Sequence, residues 1–73
     1  MLYNSLLVSD YLGLFSKGKD LEAAKGLVDQ YETACHLSKG PDKKRAAHWE
    51  SKARDLESKM ERKVEKTEEA LVS

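Results

Sequence analysis

Residues 43–72, KKRAAHWESKARDLESKMERKVEKTEEALV, contain neither glycine nor proline, and their reading decides the fold. Ala46, Trp49, Ala53, Leu56, Met60, Val64, Thr67 and Leu71 recur at steps of three and four, the spacing that lines one face of an α-helix. The seam is coiled-coil-like, with one stutter between Met60 and Val64. At about 1.5 Å per residue such a helix runs roughly 40 Å or more. Asp42 is placed to cap it. Gly40 and Pro41 stop whatever precedes it, because glycine supplies a left-handed residue past a helix end and proline disfavours helical geometry in the residue before it.

Upstream, Leu21, Ala24, Val28, Tyr31 and Cys35 repeat the same spacing, broadened by Leu27 and Ala34, with Glu22, Lys25, Asp29 and Glu32 on the opposite face. This predicts a second helix over about 20–38, started by Asp20. Before it, Leu2, Tyr3, Leu6, Leu7, Val8, Tyr11, Leu12, Leu14 and Phe15 leave only a narrow polar stripe through Ser5, Ser9, Gly13 and Ser16. That pattern predicts a first helix over about 4–16 that wants cover on nearly every side, capped by Asn4 or Ser5. The link Ser16-Lys17-Gly18-Lys19-Asp20 closes it, with Gly18 as its left-handed cap.

The expected fold is all-α and single-domain: a helical hairpin plus a long third helix over about 42–72, forming a three-helix bundle with a coiled-coil-like C-terminal extension. The first two helices are about 20 and 30 Å long, so the third is expected to overhang them and to leave Met60, Val64 and Leu71 without a neighbour from the same chain. A bare helix is marginal in water. The seam is therefore expected to pair with another protein or with a second copy, a dimer being favoured. Helix 1 has two readings: a central helix covered on both sides, or a contact surface with Tyr3, Leu7, Tyr11 and Phe15 as anchors.

Composition narrows the function. With 73 residues the chain has room for one core of modest stability, and its single cysteine excludes an intrachain disulfide. Thirteen basic residues balance thirteen acidic ones, so no broad positive field covers the surface. The apolar N-terminus has no basic leader and contains Asp10, which speaks against a targeting signal, a membrane span or membrane binding and for a cytoplasmic protein. The compact form, starting at Met1 with no linker, would also suit a phage-encoded or bacterial regulator.

Cys35, His36 and His48 are the residues that invite a metal or active-site reading. Neighbouring Cys35 and His36 project about 100° apart on a helix, and no motif supplies further zinc ligands. No phosphate-cradling glycine loop or nucleophile elbow occurs, and Glu57, Glu61, Glu65 and Glu69 at spacing four read as a solvated acidic face. The expectation is a non-enzyme without cofactor or metal. Lys43, Lys44 and Arg45 sit in a first helical turn, where positive charge opposes the helix dipole. Together with His48, Lys52 and Arg54 they form a candidate basic patch around Trp49 for nucleic acid or an acidic protein surface. The other reading puts Trp49 in the core seam.

The stretch Gly18-Lys19-Asp20-Leu21-Glu22-Ala23-Ala24, followed by Tyr31-Glu32-Thr33-Ala34, faintly resembles a tetratricopeptide helix pair, or the three-helix domain of microtubule-interacting and trafficking proteins. The likeness covers about twenty residues and lacks the tryptophan, leucine and glycine of the preceding tetratricopeptide helix. Both families are peptide-binding helical modules, and no binding residue carries over. The leading expectation is a small adaptor or inhibitor that docks helices onto a partner protein or a second copy. The alternative is a nucleic-acid-associated regulator using the patch from Lys43 to Arg54.

Overall fold

The computed structural model describes residues 2–16 and 18–72, and among them the architecture is all-α: α1 (Ser5–Leu12), α2 (Lys19–Leu37) and α3 (Lys43–Val72). The Asn4 side chain caps α1 by accepting from the Leu7 amide at 3.1 Å. Asp42 caps α3, its Oδ1 accepting from the amides of Lys44 at 3.0 Å and Arg45 at 3.4 Å. That carboxylate sits among the three cations of the first turn and offsets their unfavourable placement against the dipole.

Three expectations about helix ends change. Helix 1 stops at Leu12 rather than near residue 16, because Gly13 and Leu14 form a turn and Phe15 leaves the helical path. Gly18 does adopt a positive φ of 95°, yet it stands at the N-cap of α2 and not at the end of α1, so Asp20 falls in the first turn of α2. Lys17, assigned to the same link, lies outside the described residues. At the other end of α2, Gly40 is not left-handed. The helix tightens instead, through Lys39 N to His36 O and Gly40 N to Leu37 O, with Ser38 Oγ donating to Cys35 O at 2.6 Å.

α2 and α3 form an antiparallel hairpin, the most extensive helix pairing in the fold. α1 lies along one side of it. The Asn4 amide donates to the Tyr31 hydroxyl halfway up α2, and the chain must then return to Lys19, so α1 runs antiparallel to α2 and parallel to α3. The core collects Leu7, Val8 and Tyr11 from α1, Ala24, Val28, Tyr31, Ala34 and Cys35 from α2, and Ala53, Leu56 and Met60 from α3.

Met60 corrects the expected overhang: its side chain is fully buried. Counted from the turn, Lys19 stands level with about Glu61. Met60 thus falls within the length of α2 itself. Beyond that level Val64 still packs against the core, as do Leu14 and Phe15 of the link after α1, and Thr67 is partly buried. The projecting part is the last turn, where Leu71 is 82% exposed. No helix of the described residues is long and apolar enough to cross a membrane.

Candidate docking site

Two places on the surface combine shape with chemistry. The first fastens α1 to the hairpin. Tyr31 is fully buried apart from the polar reach of its hydroxyl, which accepts from Asn4 N at 2.9 Å and donates to Glu57 Oε1 at 2.9 Å. Tyr3 stacks on the Tyr31 ring with centroids 5.3 Å apart and donates its own hydroxyl to Glu32 at 2.8 Å. Burial, followed by the hydrogen bond to Glu32, pushes the Tyr3 hydroxyl from its ordinary 10.0 up to about 12. Burial likewise raises Tyr31, with the Glu57 bond adding to the effect. Cys35 lies beside this cluster, buried, and burial pushes its thiol up as well. A thiol held protonated in this way is a poor nucleophile. Both tyrosine hydroxyls and the Asn4 amide have internal partners, the pattern of a structural arrangement.

These contacts also place the expected anchors of helix 1. Leu7 and Tyr11 are core residues, Tyr3 and Phe15 pack against the core, and Phe15 meets Tyr11 edge-on at 5.3 Å. Tyr3, stacked on Tyr31, also lines a surface hollow with Glu32 and His36. The exposed apolar side chains of this region are Leu2 and Leu6, at 85% and 78% exposure. Helix 1 is thus covered on one side, between its two expected roles.

The second place is the flank of the hairpin away from α1. A groove of about 530 Å³ runs between α2 and α3, floored by Trp49 and Leu56 and edged by Asp29, Lys52, Asp55 and Lys59. A smaller hollow of about 280 Å³ opens on the turn side of Trp49, against Leu37, Pro41 and Arg45. Trp49 is a wall of both. It is half-buried and packed against the core on one side, so the core-seam reading and the exposed reading each describe part of one ring. Lys52 Nζ sits 5.3 Å from the ring centroid and His48 meets the ring edge at 5.4 Å. The lysine stem covers aromatic carbon while its charge stays in water.

Of the basic patch, Arg45, His48 and Lys52 border Trp49, while Lys52 shares its groove with Asp29 and Asp55 and Arg54 pairs with Glu50 at 3.0 Å. Lys43 and Lys44 are exposed in the first turn of α3. Arg54–Glu50 is the ion pair found among the described residues, so none of those residues pairs with the groove's acids and bases. Among those residues no group of three His, Cys, Asp or Glu side chains is placed to hold a metal ion.

Sequence reasoning missed the α2 side of the groove. The helical stripe puts Asp29 on a polar face, and its spacing assigns no role to Gly26 or Gln30. A signal was available in Gly26, a glycine in the middle of a nineteen-residue helix, where alanine is the stronger helix former. No protein-family model, curated protein or solved structure matches the chain. The tetratricopeptide-like spacing in α2 thus remains a likeness of pattern.

Proposed function

We propose that this chain is a small cytoplasmic interaction module without catalytic activity, acting as an adaptor or inhibitor by presenting the Trp49 groove to a helical protein surface. The observation that carries this reading is the ring itself: a tryptophan wall between two open hollows, with charges of both signs around it that form no ion pair among the described residues. Aromatic residues set in a hollow with polar edges dominate binding energy in many interfaces. Occupying a surface requires no chemistry. The nucleic-acid alternative has less support, because acids share the groove with Lys52 and Lys59 and Arg54 pairs with Glu50.

A lysine-reactive cross-linker applied in cells to the parent chain and to Trp49→Ala tests the reading. Cross-links from Lys52 and Lys59 to another polypeptide, lost in the variant while its helicity persists, are the expected result. Cross-links confined to Lys43 and Lys44, or unchanged by Trp49→Ala, overturn it.

A further inference from the structure

The groove flank carries two features that the protomer does not explain. Glu22, Gly26, Asp29 and Thr33 stand at steps of four, three and four and so form one exposed row along α2 beside the groove. Glycine in mid-helix weakens the helix relative to alanine, yet a Cβ added at Gly26 meets no atom within 4 Å. Packing inside the chain therefore does not call for glycine there. The second feature is charge. Asp29, Lys52, Asp55 and Lys59 set both signs around the groove, and none of them has an ion-pair partner among the described residues.

We infer that the groove is occupied by a second copy of this chain, two hairpins packing face to face with their turns at the same end to give a four-helix core. The inference rests on the interaction-module reading above and names its partner. Charge fixes the arrangement. Asp29 lies eight residues before Leu37 and Lys52 nine after Lys43, which places them about 12 and 13.5 Å from the turn. A two-fold axis running along the groove lays α2 of one copy over α3 of the other at the same height, so Lys52 faces Asp29 twice over. By the same count Lys59 faces Glu22, and Gly26 faces Asp55 and Leu56, where a missing side chain lets the helices approach. With the turns at opposite ends, a two-fold near Leu56 would instead bring Lys52 over Lys59, like charge on like. The self-complementary pattern selects the first arrangement.

Sedimentation equilibrium of the purified full chain, over a micromolar to millimolar range, gives the test. The parent is expected at twice the mass of the protomer. Lys52→Asp and Asp29→Lys, each alone, are expected to weaken association roughly tenfold through two symmetry-related repulsive pairs. Their equimolar mixture should recover the dimer, since every facing pair is then of opposite sign. Gly26→Leu, which has open space in the protomer, should be a folded monomer by circular dichroism. A parent that stays monomeric throughout overturns the dimer. If Trp49-dependent cross-links to a different protein persist in that case, the module reading stands without it. Tighter self-association of Lys52→Asp overturns the stated arrangement in favour of opposed turns, and a Gly26→Leu protein that sediments like the parent removes the groove from the interface.

Discussion

The half of the hairpin that faces α1 and the half that faces away present the same kind of seam to different surroundings. On the side where α1 lies alongside, Ala53 and Met60 reach complete burial and Tyr31 is sealed among three helices. On the other side α2 and α3 face each other alone, and Trp49, the bulkiest residue of the seam, stays only half-buried. Spacing determines which side chains point inward. Whether they are sealed depends on a third element, and α1 covers one side only.

Several substitutions would break or sharpen this contrast. Met60→Ala acts in the sealed half and should destabilise by about 2–5 kcal/mol, enough to abolish cooperative melting in so small a domain. Tyr31→Phe removes the acceptor for the Asn4 amide and the donor to Glu57, and should lower stability by about 1–3 kcal/mol in denaturant titrations. Alkaline pH probes the same cluster. The folded chain holds the Tyr3 proton up to about 12 against an ordinary 10.0, and Tyr31 shifts in the same direction. Their stabilisation is complete below the unfolded value and disappears as pH climbs through the folded one. Helicity should stay level to about pH 10 and fall towards about pH 12, in step with tyrosinate absorbance.

In the open half, Trp49→Ala should lower stability by about 1–2 kcal/mol, less than a sealed residue of its size, while its effect on association is large. Leu71→Asp, on the projecting turn, should change stability by under about 0.5 kcal/mol in thermal melts. A loss as large as that of Met60→Ala would mean that the last turn is sheltered after all.

Much of the fold was legible because period and punctuation agree. The seam of α3, the stripe of α2 and the Asp42 cap follow from local chemistry that is independent of tertiary context. The register of α1 against α3 was not legible: it depends on the hydroxyl of Tyr31 meeting an amide and a carboxylate from different helices, and no short-range pattern encodes such a meeting. The docking flank was half legible. Trp49 and Lys52 stood out as an aromatic within a basic stretch, whereas the α2 edge is visible only once the hairpin is closed and Gly26 proves to have no internal reason for its missing side chain.

The position of Cys35 gives the molecule an internal clock. Cys35 is buried at the base of a surface hollow that it shares with Tyr3, the residue through which the N-terminal segment is clasped, so an electrophilic reagent reaches it more readily when that segment lifts. The rate of thiol labelling in the native state then measures how often α1 undocks, and comparing it with global unfolding separates departure of the first helix from unzipping of the other two.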